Sequence, residues 1–334
     1  MTANICRSIT ATLTCLVLFL AFIVSASAAQ LVEYVRVCDV YGAGFFYVPG
    51  SDICLKTPGQ PLRGANTLDR WGWNVQALGY IGQTDVSSFS HDYNTGAAGG
   101  SFGGGVTYNY VRVQLDYKRE DTGSYCDSCG HSSYWTVGGH INWNPVSNWD
   151  LGVFGGYVDT SPTFNGATNR YEYFGGEARY FTNKWMIGGQ FGHLDVNHGL
   201  GSMTDAWFGE VRARLNLSAF YTGPARREMS DLTDIIDRTS ISGSYGFASG
   251  NHQNTSLTAE SRQWSVSMNY RWAPTVSTFV GYHAMENKIQ GSGTVWDERL
   301  VKAGVKINWG TPGAAVPIEP NVPLPSVLGV LTRF

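Results

Sequence analysis

Polar and apolar side chains alternate along several short segments of the chain. Residues 111–118 read VRVQLDYK, so Val, Leu or Tyr stands at every odd position and a polar or charged residue at every even position. Successive side chains of a β-strand point to opposite faces, so this period of two predicts a strand with one apolar and one polar face. Residues 207–217, 264–272 and 301–309 repeat the pattern. The alternation therefore predicts an all-β fold.

The composition indicates what the apolar faces touch. The chain contains 41 Gly, 18 Tyr, 16 Phe and 11 Trp but only 15% charged residues, a balance typical of outer-membrane barrels with aromatic girdles. The strands of a soluble β-sandwich would show the same alternation. The positions of the tryptophans therefore have to distinguish a lipid-facing barrel from a soluble sandwich. Rings near strand ends and in phase with the apolar face favour lipid, because amphipathic rings prefer the headgroup level. These are Trp73, Trp135, Trp143, Trp149, Trp185, Trp207, Trp264, Trp272 and Trp309.

The alternating segments number about twelve, which predicts a transmembrane antiparallel β-barrel. Short turns around Pro145, Asn183 and Pro274 alternate with longer polar stretches, as in barrels with tight periplasmic turns and long outer loops. Residues 84–99 are the predicted loop that folds into the lumen. Residues 221–238 predict either a small periplasmic helix or an error in the strand count. The segments cover approximately residues 71–83, 100–108, 110–119, 134–144, 149–159, 170–182, 184–196, 206–218, 238–248, 261–272, 275–286 and 297–309.

The N-terminus indicates export to an oxidising compartment. Arg7, the apolar run LTCLVLFLAFIV and the small-residue exit SASAA predict a signal peptide over residues 1–29. Four cysteines remain after its removal, and an even number in an exported chain predicts two disulfides. They are Cys38, Cys54, Cys126 and Cys129.

Residues 38–55, CDVYGAGFFYVPGSDICL, resemble the N-terminal segment of the alphaproteobacterial porin family. The resemblance implies an outer-membrane barrel that forms a passive, water-filled diffusion pore. The family barrel has sixteen strands, whereas the alternation here indicates about twelve. Residues 56–61, with two prolines, also depart from the family pattern, since a central strand excludes proline. A Cys38–Cys54 disulfide would close a loop of about 15 residues around a hairpin, either for stability or as a cap at the periplasmic mouth.

The predicted organisation has four parts. The signal peptide occupies residues 1–29, a periplasmic segment with the Cys38–Cys54 hairpin occupies 30–70, the barrel occupies 71–309, and a proline-rich extended tail occupies 310–334. With 23 Lys and Arg against 26 Asp and Glu, the chain has no polybasic surface for nucleic acid. The expected partners are outer-membrane lipid and small hydrophilic solutes and ions, and the sequence leaves a monomer and a homotrimer open.

Two sequence patterns resemble parts of a metal site and of a catalytic site, but each lacks the residues that would complete it. Cys126-x-x-Cys129 is half of a zinc site without a second pair of ligands, so a disulfide within a loop is expected there. His140 and Asn142 share one polar face, but no serine stands with them in a GxSxG motif, and His140 is expected to be a solvated lumen residue. We therefore expect no metal, no cofactor and no enzymatic activity.

The charged residues of the polar faces are the predicted pore lining. Eight are basic and four are acidic, and lumen charges set ion selectivity, so a weak anion preference is predicted. The alternative is that these charges pair across the lumen and plug it, which would make the protein a closed structural or surface-interaction barrel. The predicted pore-lining residues are Arg112, Asp116, Lys118, Asp150, Glu177, Arg179, Glu210, Arg212, Arg214, Arg271, Lys302 and Lys306.

Overall fold

The computed structural model divides the chain into two compact units, Met1–Asp69 and Arg70–Phe334. It describes residues 45–47, 54–56, 71–88, 92–108, 110–124, 131–144, 148–161, 169–182, 184–198, 203–217, 235–252, 257–291, 293–310 and 323–326.

The first unit contains a short antiparallel strand pair. Strand β1 (Phe45–Tyr47) pairs with β2 (Cys54–Lys56), and Tyr47 lies opposite Cys54. This pair lies where the sequence predicts a hairpin. Cys38, Cys126 and Cys129 lie outside the described residues, so both disulfides stay predictions.

The second unit is a closed antiparallel barrel of twelve strands, which confirms the predicted fold class. Each strand pairs with the next in the chain, and the last pairs with the first, from Gly310 opposite Asn74 to Trp296 opposite Ser88. Every predicted segment overlaps one strand. The strands are β3 (Trp71–Ser88), β4 (Asp92–Tyr108), β5 (Val111–Ser124), β6 (His131–Trp143), β7 (Trp149–Ser161), β8 (Asn169–Phe181), β9 (Trp185–His198), β10 (Met203–Asn216), β11 (Thr239–His252), β12 (Thr258–Arg271), β13 (Val276–Ile289) and β14 (Gly293–Gly310).

The strands extend further than the alternation predicted, into the polar stretches that were expected as outer loops. Most residues of the polar stretches expected as loops belong to strands. Residues 84–99 are not a lumen loop, because Thr84 pairs with Thr95 and only residues 89–91 connect β3 to β4. A strand of about ten residues crosses a bilayer, so these longer strands continue past the membrane. Polar side chains at the strand ends interrupt the apolar/polar alternation that marks the lipid-facing part.

The connection from β10 to β11 contains the charged segment 221–238. Residues 235–238 form a helical turn directly before β11, and Thr239 donates its hydroxyl to the Ile235 carbonyl at 2.6 Å. Because β10 and β11 are paired neighbours, the strand count through this segment stands. Within the described part of the chain, no helix has the length and hydropathy to cross a membrane.

The outer surface of the barrel is apolar and bounded by aromatic residues. Leu115 is 67% exposed and Val153 is 58% exposed, although both are fully apolar side chains. Eight of the nine predicted girdle tryptophans are at least 40% exposed. At one end, outward ion pairs join residues two positions apart on one strand, as in Arg119–Asp121 at 3.0 Å. Exposed apolar rings followed by charge mark the edge of a lipid-facing band.

Part of the barrel interior is an apolar cluster. It includes the rings of Phe154, Tyr173 and Phe208, all at most 4% exposed. Glycines on the neighbouring strands make room for these rings. A methyl group at Gly175 would lie 2.7 Å from Phe154 Cζ, and one at Gly192 would lie 2.7 Å from Phe208 Cζ. Glycine within these strands therefore permits a close approach of ring to wall.

Candidate pore and its lining

All twelve predicted pore-lining residues lie on the inward face of the barrel wall. Nine of them border internal cavities directly, and Arg112 and Arg214 lie opposite residues that do, Asn142 and Ser242. Arg271 stands two positions after Asn269, which also lines a cavity. The sequence list missed two inward carboxylates, Glu120 and Glu298, which are nearly buried. The alternation could have identified them, because Glu120 stands two positions after Lys118 and Glu298 four positions before Lys302.

One inward cluster joins two arginines to one aspartate. Asp150 Oδ2 lies 2.7 Å from Arg112 Nη2 and 2.5 Å from Arg179 Nη2, and all three side chains are nearly buried. Arg112 Nη2 also donates to Asn142 Oδ1 at 3.3 Å. Buried charges need partners because water no longer solvates them. This cluster therefore fills part of the lumen with paired charge.

A second cluster surrounds His140, which is 1% exposed. Its Nδ1 lies 3.0 Å from both Glu177 oxygens, and its Nε2 lies 3.5 Å from Asp116 Oδ2. Asn142 and Gln190 also donate to the Glu177 carboxylate, at 2.5 and 2.9 Å. The expectation of a solvated histidine was wrong, because neighbouring strands supply polar side chains that enclose the ring. The described residues contain no group of His, Cys, Asp and Glu suited to a metal.

The C-terminal tail also reaches the lumen. Residues 323–326 lie beside β10, where Arg212 Nε forms an ion pair with Glu210 Oε1 at 2.5 Å. Arg212 Nη2 donates to the Leu324 carbonyl at 2.8 Å, and the Leu324 side chain joins the apolar cluster. The proline content predicted an extended tail, but nothing in it predicted this position.

The remaining side of the lumen holds a cavity of about 290 Å³, whose mixed lining includes hydroxyl, amide and charged side chains beside apolar ones. Serine hydroxyls pair across β11 and β12, Ser242 with Ser267 and Ser244 with Ser265, each at 2.8 Å. On the facing wall, Lys302 Nζ lies 4.9 Å from the centre of the Tyr80 ring. The Tyr80 hydroxyl donates to Glu120. The lumen thus has a filled side and a side that holds this cavity.

An apolar outer band, aromatic edges and inward-facing charged side chains in a closed barrel define an outer-membrane β-barrel protein. Comparison with known proteins agrees. Residues 22–64 match the protein-family model described as Porin subfamily. These findings, with the Brucella porins below, confirm the predicted resemblance to the alphaproteobacterial porin family and place the protein in the bacterial outer membrane.

Two curated relatives are Brucella porins. Porin Omp2b of Brucella melitensis is 32% identical over 114 residues, which cover 27% of this chain and 32% of that protein. Porin Omp2a of Brucella suis is 28% identical over 162 residues, which cover 40% of this chain and 43% of that protein. The chain therefore spans 32% of the length of one of these relatives and 43% of the other.

Two solved structures match part of the chain with low TM-scores. An outer-membrane channel from Pseudomonas putida F1 has a TM-score of 0.46 and 13% identity, covering 71% of this chain and 96% of that chain. An anion-selective porin from Comamonas acidovorans has a TM-score of 0.35 and 8% identity, covering 72% of this chain and 100% of that chain.

Proposed function

We propose that the protein is an outer-membrane pore for passive diffusion of small hydrophilic solutes and ions. The cavity of about 290 Å³ inside a lipid-facing barrel, with hydroxyl, amide and charged side chains in its lining, is the observation that carries this proposal. Water and small solutes require such a lining of hydroxyl, amide and charged groups. The proposed cargo includes inorganic ions and small metabolites.

The barrel size limits what passes. Open aqueous channels belong to barrels of about 16 to 18 strands, whereas this barrel has twelve. The apolar cluster and the two charge clusters narrow the lumen further on one side. We therefore infer a pore narrower than that of a general porin.

The inward charges support a weak preference for anions. Among the described strands, eight basic side chains face inward against six acidic ones, now that Glu120 and Glu298 are included. This excess of basic over acidic side chains is smaller than that of the twelve residues predicted from the sequence, which are eight basic and four acidic. A small net positive charge in a lumen raises the local concentration of anions.

Reversal potentials in planar bilayers under a KCl gradient test the preference. We expect a small potential of the sign that indicates chloride over potassium, and Lys306→Gln should move it toward cation selectivity. Lys288→Gln is the matched control, because Lys288 carries the same charge on the outer surface, 2.9 Å from Glu286. Cation preference in the unmodified protein, or equal effects of the two variants, would contradict the proposal.

A non-enzymatic role accords with the surroundings of His140. The ring is enclosed by Glu177, Asp116 and neighbouring side chains, so a substrate has no access to it. Measurable ester hydrolysis by the purified barrel would contradict this part of the proposal.

A closed structural or surface-interaction barrel is the second candidate. The tail in the lumen, together with the paired charges around Asp150, favours it, because these groups occupy one side of the interior. Steady single-channel steps support the pore, and insertion without conductance supports the closed barrel.

A further inference from the structure

Residues 323–326 occupy a site that the lumen wall builds around them. Arg212 Nη1 and Gln190 Nε2 each donate to the Pro323 carbonyl at 3.2 Å, and Arg212 Nη2 donates to the Leu324 carbonyl at 2.8 Å. Proline has no backbone N–H, so a Pro-Leu-Pro segment presents mainly carbonyl acceptors. Donors from β9 and β10 match these acceptors.

The other end of the segment is bound through Ser326. Glu210 Oε2 accepts hydrogen bonds from the Ser326 backbone N–H at 2.7 Å and from its hydroxyl at 3.0 Å. Gln263 Nε2 donates to the same hydroxyl at 2.5 Å. Glu210 and Gln263 are almost completely buried, so this pairing satisfies polar groups that water does not reach.

The side chain between these two ends fills an apolar pocket. Leu324 is 7% exposed and packs into the cluster that contains Phe154, Tyr173 and Phe208. Backbone hydrogen bonds with one anchoring side chain are a common way to bind extended peptides. The segment pairs with no barrel strand, so its departure would leave every strand pair intact.

The segment also borders the open side of the lumen. Pro323, Leu324 and Ser326 line the cavity of about 290 Å³ together with Ser244, Ser265 and other side chains of the facing wall. The position of the segment therefore affects the width of the open lumen.

We propose that this lumen site binds a Pro-x-Pro peptide, that residues 323–326 are its resident ligand, and that their release widens the pore. The inference rests on the proposed pore function, because it requires a conducting lumen. The new element is that residues 323–326, a segment of the chain itself, control the conductance of that pore.

Single-channel recording of Leu324→Asp in the full-length chain tests this inference. A carboxylate does not remain in an apolar pocket, so the variant should release the segment and increase the unit conductance. Leu324→Met is the matched control and should retain the original conductance, because it preserves volume and apolar character. The heat-dependent gel mobility of each variant verifies that the barrel is folded.

A peptide experiment tests the binding site itself. A synthetic peptide with the sequence of residues 321–328 should return the Leu324→Asp channel to the lower conductance, and the same peptide with Asp at the leucine position should not. Unchanged conductance in Leu324→Asp beside a conducting unmodified protein would overturn the inference and leave the pore function in place. Failure of the unaltered peptide to lower the conductance would overturn the binding site. Silence of both proteins would overturn the proposed function as well. A silent unmodified protein beside a conducting Leu324→Asp would support release of the segment as the step that opens the lumen, and would show that the unmodified barrel is closed.

Discussion

Met268 lies midway along the lipid-facing side of β12, and its replacement by arginine tests which side of the barrel wall meets hydrocarbon. The side chain is 51% exposed and stands four positions from each of the girdle residues Trp264 and Trp272. An arginine at the midplane of a barrel's lipid face costs about 2 to 4 kcal/mol. That is a change of about 30-fold to about 700-fold in the equilibrium constant of unfolding.

Ser267 provides the matched control, because it is the next residue of the same strand and lines the internal cavity. Ser267→Arg loses a hydrogen bond to the Ser242 hydroxyl, with a distance of 2.8 Å, which costs about 0.5 to 1.5 kcal/mol. The central values therefore leave about 2 kcal/mol between the two variants.

Equilibrium unfolding in urea, with the barrels inserted in lipid vesicles, measures both free energies. Gel mobility of unheated samples reports the folded fraction at each urea concentration. Equal losses in the two variants, or a larger loss in Ser267→Arg, would show that the valine- and methionine-bearing face does not contact lipid. The assignment of the outer face to lipid and of the inner face to water would then be wrong.

The same unfolding assay checks two further predictions about the barrel interior. Asp150→Asn removes the carboxylate that both Arg112 and Arg179 contact and should lower the free energy of unfolding by about 3 to 5 kcal/mol; a loss below about 1 kcal/mol would show that the cluster is solvated. Gly156→Ala should cost about 1 to 3 kcal/mol, because its methyl group would meet a strand carbonyl and lie 2.5 Å from a tyrosine hydroxyl. Gly79→Ala meets nothing within 4 Å and should be neutral or slightly stabilising, so an equal loss in both glycine variants would contradict the packing argument.

Local alternation was sufficient to predict the strands and their two faces. In VRVQLDYK the pleat of the strand alone sends Leu115 outward and Asp116 inward. The same period placed all twelve predicted charges on the inward face. Tryptophan at the ends of these segments located the edges of the apolar band, because the preference of an indole ring for the headgroup region does not depend on its neighbours.

Local alternation could not predict where the strands end or which side chains meet in the lumen. Residues 84–99 look like a loop because polar side chains at strand ends obscure the alternation, yet hydrogen bonding to neighbouring strands keeps them extended. The meeting of Asp150 with Arg112 and Arg179 depends on strand register across β5 to β8, which no single segment encodes. The enclosure of His140 has the same origin.

The chain by itself therefore determined the number of strands and which side of each strand faces lipid, because both follow from side-chain chemistry at a spacing of two residues. The closed barrel decided which inward groups touch and that residues 323–326 lie among them. Proline excludes this segment from a sheet ladder but does not select a location. The donors and the pocket that hold it come from strands far apart in sequence, and they form one site only when the sheet closes.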